Sequence, residues 1–278
     1  MIKAELEERL TEVADGHQRV TVLTGAGISA ESGIPTFRGP EGYWTVGSAV
    51  YHPQEMATLE MFHRDPQAVW AWYLYRLGVC RSAAPNDGHQ AIVGMERLLG
   101  DRFALVTQNV DNLHRQAGNT PARMHEIHGN ILRVRCAGGC SPELAPLPAG
   151  VNPKAPGDAL TAQEVENLRC PRCGGWLRPH VLWFDEVYDE AYFHYRTVLA
   201  LAEEIALLII AGTSGATNLP AQVVATATRR DATLVDINIE PDPFSRLAAN
   251  SPGGDFIQAP SGQALPELLR LMEKVKMR

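Results

Sequence analysis

Cysteine is scarce in this chain: five occur in 278 residues, and four of those five fall in two close pairs. An odd count with paired spacing argues against a disulfide framework and for a metal in a reducing compartment. Positive charge is also short. Lys and Arg number 25 against 32 Asp and Glu, a formal net charge of −7, which excludes the basic footprint of a general nucleic-acid binder. No apolar run reaches the length of a membrane span, and the longest, Ile205 to Ala211, suits a buried strand. The first ten residues, MIKAELEERL, are acidic and amphipathic, lacking the basic segment and apolar core of a secretory signal. A cytoplasmic protein with no membrane partner is therefore expected. No internal repeat is found. The oligomeric state is not written in the sequence.

What the chain does hold is a succession of β-branched apolar runs separated by helical patterns. Val20–Thr24, Phe103–Thr107, Ile205–Ala211 and Thr233–Ile237 read as strands buried on both faces, and Phe256-Ile257 as a last one. Between them lie helical patterns: Leu6, Leu10 and Val13 on one edge, Asp65-Pro66 as cap and first position, His89–Leu99, about Asp189–Glu204, and Leu265–Val275. Strands alternating with helices predict an α/β fold, a doubly wound parallel sheet of Rossmann type. From Cys136 to Cys173 the prolines Pro142, Pro146, Pro148, Pro153 and Pro156 interrupt the pattern, so a smaller zinc-ribbon and helical unit is expected as an insertion. The predicted division is 1–38, 89–130 and 178–278 for the sheet domain, 39–88 for a cofactor loop with helices, and 131–177 for the zinc module.

The chain is organised around GAGISAESGIPTFRG, Gly25 to Gly39, directly after the first strand. Gly25, Ala26 and Gly27 sit where a chain leaving a strand wraps a phosphate, since glycine permits close backbone approach. Ser29, Glu31 and Ser32 suit a helix start, and Gly33-Ile34-Pro35 its end. On GAG alone a tight strand–helix turn explains as much. Phe37 and Arg38 then add an aromatic face and a guanidinium, for which an ordinary turn has no use. A loop carrying Tyr43 and Trp44 follows. The whole stretch resembles the nicotinamide-dinucleotide loop of the sirtuins, NAD-dependent protein-lysine deacylases.

Further motifs extend the resemblance over nearly the whole chain. Thr107–His114 reads TQNVDNLH, in which Gln108, Asn109 and Asp111 match the family's polar cluster around the nicotinamide ribose. Ile127-His128-Gly129 resembles its His-Gly element, which implies that His128 accepts a proton from a ribose hydroxyl. An imidazole titrating near about 6.5 suits that role. Gly212-Thr213-Ser214, Asn238-Ile-Glu240 and Ser261 match positions that contact the adenosine half. The resemblance implies attack of the acyl oxygen on the ribose, loss of nicotinamide, and release of lysine and O-acyl-ADP-ribose. Acylated lysine side chains of proteins are then the partners, and Val181, Trp183 and Phe184 lie where the family binds the substrate. Phe184-Asp185-Glu186 replaces the family's Phe-Gly-Glu, and the Gly215–Leu219 loop is about one residue longer, so peptide preference stays open.

Cys136-Ala-Gly-Gly-Cys140 and Cys170-Pro-Arg-Cys173 supply four thiolates, each pair close enough to grip one ion. Tetrahedral Zn²⁺ with a full sulfur shell is a structural site, and unliganded buried cysteines are the alternative. Cys80 reads as core.

Tyr73 and Arg76 share one face of the helix after Pro66. A phenol and a guanidinium in an apolar stripe make a carboxylate receptor. Tyr-x-x-Arg here resembles the class III sirtuins, which remove succinyl, malonyl and glutaryl groups. An Arg extending from a core helix, or paired with an acidic residue from elsewhere in the chain, is the other reading. A plain deacetylase, a mono-ADP-ribosyltransferase and a non-catalytic NAD- or protein-binding module remain alternative functions.

Overall fold

A strand whose every side chain is apolar or β-branched has no face to offer water, so it must lie between two helical layers. Five of the six residues of β1 (Arg19–Thr24) are buried, as are all five of β2 (Phe103–Thr107). The computed structural model describes residues 2–36 and 53–276. The remaining strands are β3 (Met124–Glu126), β4 (Gly129–Cys136), β5 (Ala145–Pro146), β6 (Leu177–Val181), β7 (Ile205–Ala211), β8 (Thr233–Asn238) and β9 (Asp255–Gln258). Helices α1 (Ala4–Asp15), α2 (Pro53–Met56), α3 (Leu59–Arg64), α4 (Pro66–Ser82) and α5 (Asp87–Leu99) precede β2. They are followed by α6 (Leu113–Ala117), α7 (Ala162–Asn167), α8 (Glu190–Phe193), α9 (Tyr195–Ala202), α10 (Asn218–Arg229), α11 (Ser245–Asn250) and α12 (Ser261–Lys276). No helix among the described residues is long and apolar enough to cross a membrane.

Six strands form one parallel sheet in the order β3-β2-β1-β7-β8-β9. Alternate residues point to opposite faces. Val20, Val22, Leu105, Ile209 and Val235 pack under α1, α5 and α12, whereas Leu23, Val106, Leu208, Ile210 and Leu234 pack against α9, α10 and α11. The chain leaves β1 toward β2 on one side and reaches β7 on the other. The gap between the carboxyl ends of β1 and β7 is therefore the switch point where open α/β sheets take their ligands.

A second sheet, β5-β4-β6, is antiparallel and carries the cysteine module. Its residues Ile131, Val134, Leu177 and Val181 share one buried cluster with Val69, Trp70, Trp72, Tyr73 and Leu77 of α4. Asp65 caps α4 by accepting from the Ala68 N–H, with Pro66 at the first position, as its sequence predicts.

Two local expectations need correction. The helix expected to start at Ser29 begins at Ala26, so it includes Gly27, and is a 3₁₀ segment running to Ser32. Gly33 closes it at φ 82°, a left-handed backbone that glycine adopts freely. The helix expected from Asp189 to Glu204 is broken at His194, which takes φ 55°. Asp189 caps the first piece, and the Glu190 carboxylate accepts from the Arg196 and Thr197 N–H groups at the start of the second. Each acid satisfies donors that a continuous helix would have bonded within itself.

Candidate active site

At the switch point two loops touch through bare backbone. The Gly25 N–H donates to the Ala211 carbonyl and the Gly27 N–H to that of Gly212, at 3.0 and 2.8 Å. A Cβ on Gly25 or Gly27 would stand 2.7 Å from Gly212 backbone atoms, too close for any side chain. These glycines form a cradle with no room for a Cβ, so the first helical turn opens directly onto the crevice. This is the setting a pyrophosphate needs.

Polar side chains from the end of β2 close the next part of the crevice. Ser29 donates to the Asp111 carboxylate at 2.7 Å and accepts from the Asn109 amide at 3.1 Å. Burial raises the Asp111 carboxyl above its ordinary range, while the Leu113 N–H and Ser29 pull it back. The Gln108 side chain is engaged by the protein, donating to Thr213 and accepting from Thr217, at 2.8 Å each. It pins the loop after β7 to the end of β2.

His128 stands beside this cluster. Its Nδ1 lies 3.0 Å from the Gln108 carbonyl oxygen and its Nε2 lies 2.8 Å from the Tyr188 hydroxyl. A carbonyl only accepts, so Nδ1 carries the hydrogen and Nε2 the lone pair. Burial lowers the imidazole to about 4, so it is neutral at neutral pH and basic at Nε2. Gly129 follows at φ 85°, and a Cβ there would strike the His180 carbonyl, which fixes the backbone turn behind the imidazole.

The face of α4 meets the site through Trp183. Its indole N–H donates to the Tyr73 oxygen at 2.9 Å, which leaves the Tyr73 hydroxyl hydrogen for another acceptor. Arg178 holds Trp183 from behind, its guanidinium 3.5 Å over the ring and bidentate to Glu186 at 2.6 and 2.7 Å. Arg76 is buried, its guanidinium 4.9 Å from the Trp72 ring centre and 5.5 Å from that of Tyr73. Val181 is buried in β6, and Phe184 is exposed with its N–H on the Ala57 carbonyl. Asp185 caps α3, accepting from the Leu59 and Glu60 N–H groups at 2.7 and 3.0 Å.

Cys136, Cys140, Cys170 and Cys173 converge with all four sulfurs within 4.8 Å of one another. The Cys136–Cys173 and Cys140–Cys170 separations are 3.6 and 3.5 Å. Zn–S bonds of about 2.3 Å in a tetrahedron set sulfur–sulfur distances of about 3.8 Å, so this donor set fits one structural zinc ion. The N–H groups of Arg172 and Cys173 lower the Cys170 thiol, favouring the thiolate a metal requires.

Comparison with known proteins gives the same picture. The model of the Sir2 family matches residues 25–218. A protein of Leptospira interrogans named NAD-dependent protein deacylase is 38% identical over 265 residues, covering 95% of this chain and 97% of the relative. The chain belongs to the Sir2 family. A Pyrobaculum aerophilum protein, NAD-dependent protein deacylase 2, is 40% identical over 92% of this chain and 91% of its own length. A Sir2 homologue solved as its NAD complex superposes with a TM-score of 0.77 at 32% identity, covering 96% of this chain and 94% of the other.

As a Sir2 protein, the chain joins Gly25, Gly27, Ser29, Gln108, Asn109, Asp111, Gly212 and Thr213 by hydrogen bonds at the carboxyl ends of β1, β2 and β7, while the four cysteines gather in the module of the second sheet. Thr213 is buried and Ser214 exposed after β7; Asn238 donates to the Thr213 carbonyl and to Asp242; Glu240 is exposed; Ser261 is buried at the start of α12. Phe37, Arg38, Tyr43 and Trp44 lie outside the described residues. Sequence reading missed three participants: Tyr188 on His128, Glu31 accepting from the Gly262 N–H at 2.7 Å, and Glu186 holding the Trp183 loop. Tyr188 and Glu31 work through partners 60 and 231 residues away, Glu186 through Trp183 and Arg178 three and eight residues back, and periodicity carries no signal for any of these pairings.

Proposed function

We propose that this chain is an NAD-dependent protein-lysine deacylase that prefers acyl groups ending in a carboxylate, succinyl and malonyl among them. When bound, NAD supplies an electrophilic ribose carbon with nicotinamide as leaving group, and a ribose hydroxyl that captures the acyl carbon. The cradle of Gly25, Ala26 and Gly27 against Gly212 would hold the pyrophosphate, and Thr213, Ser214, Asn238, Glu240 and Ser261 would flank the adenosine half. Ser29, Asn109 and Asp111 form one bonded group that would orient the nicotinamide ribose. His128, neutral with its lone pair at Nε2, would take the ribose hydroxyl proton. The acyl-lysine would enter between α4 and the loop after β6, past Val181, Trp183 and Phe184.

One observation carries the acyl preference. Trp183 donates to the Tyr73 oxygen, so the phenol hydrogen remains a donor on the same buried face as the Arg76 guanidinium. A phenol O–H and a guanidinium together match a carboxylate. The competing reading is a plain deacetylase, in which Arg76 is a structural residue whose charge is felt, weakly, by the Asp111 carboxyl that burial raises. Arg76→Met separates the two. With matched succinyl- and acetyl-lysine peptides, the variant is expected to lose about 10- to 100-fold in kcat/KM on succinyl, the loss of a charge-assisted pair, and to keep acetyl turnover within a few-fold. Equal losses on both peptides would leave Arg76 a structural residue.

A further inference from the structure

The lone pair that makes His128 a base is already occupied. The Gln108 carbonyl fixes the hydrogen on Nδ1, so the contact of 2.8 Å between Nε2 and the Tyr188 oxygen has the phenol donating. That contact lies at the distance and on the atom where a ribose hydroxyl must sit to deliver its proton. Tyr188 reaches the site from the loop after β6, whose Glu186 is tied to Arg178. Its ring stacks between His128, with centres 5.8 Å apart, and Tyr195 of α9, at 6.3 Å. The Leu219 N–H, at the start of α10, lowers the Tyr188 phenol, against the larger effect of burial. Burial holds the phenol far above its ordinary range, so it stays protonated and remains a donor.

We propose that Tyr188 is a positioning residue whose hydroxyl stands in for the substrate hydroxyl, keeping His128 in the Nδ1–H tautomer until the ribose displaces it. On displacement the phenol keeps its proton and turns away from Nε2. The ribose O–H then donates to Nε2, and in the chemical step its proton moves to Nε2, forming imidazolium. Tyr188 takes no part in that transfer. Two consequences follow in opposite directions. A phenol bonded to Nε2 stabilises the neutral imidazole, so it lowers the pKa of His128 and extends activity to lower pH. It must also be displaced, so it weakens the apparent affinity for NAD.

Among the described residues, the groups facing His128 are few. Gln108, the residue after β2, and Tyr188 from the loop contact its nitrogens, Tyr195 lies behind Tyr188, and burial lowers the imidazole against the Gln108 carbonyl, which raises it. Loss of the phenol should therefore show cleanly in a pH profile.

The inference rests on the deacylase reading, and wild-type turnover tests that reading separately. Nicotinamide release and lysine formation are followed from pH 3 to 9 for wild type and Tyr188→Phe, a range that brackets an imidazole lowered to about 4. The expected result is an acid limb of kcat/KM moved up by about half a unit to one unit, with KM for NAD about 2- to 10-fold lower, the range of one hydrogen bond. An unmoved limb and unmoved KM in a folded, active variant would overturn the inference while leaving the deacylase reading intact. No turnover by wild type on any acyl peptide would overturn the reading itself. Nitrogen NMR of the wild-type imidazole decides the matter even if Tyr188→Phe does not fold. His128 should show a protonated Nδ1 and a hydrogen-bonded acceptor Nε2 that changes when NAD is added. An Nε2–H tautomer, or an Nε2 signal indifferent to NAD, would overturn the inference.

Discussion

Gly27 carries more of the site than its size implies, because what matters there is the absence of a side chain. Its Cα lies against the Gly212 backbone so closely that a Cβ would stand 2.7 Å from the Gly212 Cα. Neither loop can retreat without breaking the bond from the Gly27 N–H to the Gly212 carbonyl. Gly27→Ala is expected to cost about 1–3 kcal/mol by overpacking, a fall of roughly 2–10 °C in Tm, and to raise KM for NAD at least several-fold. Calorimetry and steady-state kinetics check both; an unchanged KM for NAD would remove this cradle from the cofactor site. The sequence made Gly25, Gly27, His128 and the four cysteines legible because each belongs to a short motif. Tyr188 was silent there, since its partner lies 60 residues away and nothing in its own neighbourhood marks it. Asp185 stood out as a departure from the family pattern, but its task of capping α3 needed coordinates.

Among the elements, α4 was the easiest to read. Asp65, Pro66 and the apolar stripe state its start and its buried face. The break between α8 and α9 was hidden, because His194 in a left-handed conformation has no sequence signal and the apolar spacing continues across it. β3 escaped notice because three residues carry no periodicity. The cysteine module between β4 and β6 is held by short elements: a two-residue strand, the six-residue α7 and a metal centre. Removing the metal should therefore loosen the module without melting the sheet. In Cys170→Ser, zinc content is expected to fall from one ion per chain toward none, and hydrogen exchange to rise across residues 137–176. Strands β1, β2, β7 and β8 should keep their protection. Full protection of the module in metal-free protein would show that packing alone orders it.

At the scale of the molecule, alternating strands and helices stated the α/β class, but not the strand order. That order follows from crossovers on both sides of β1, and the parallel direction of the strands places their carboxyl-end motifs at one end of the sheet. Nor did the sequence state that α4 and the cysteine module share one buried cluster. Through that cluster Tyr73 reaches Trp183, so the proposed acyl receptor spans segments 110 residues apart. The central claim is that this assembly cleaves NAD at the expense of an acyl-lysine, with His128 as base. The most direct test incubates the full chain with NAD and matched acetyl-, malonyl- and succinyl-lysine peptides, following nicotinamide release and peptide mass. Wild type should release nicotinamide and free lysine in equal amounts, faster with the acidic acyl groups. His128→Ala should lower that turnover by about 10²- to 10⁴-fold. Undiminished turnover in His128→Ala, or no nicotinamide from any peptide with wild type, would contradict it.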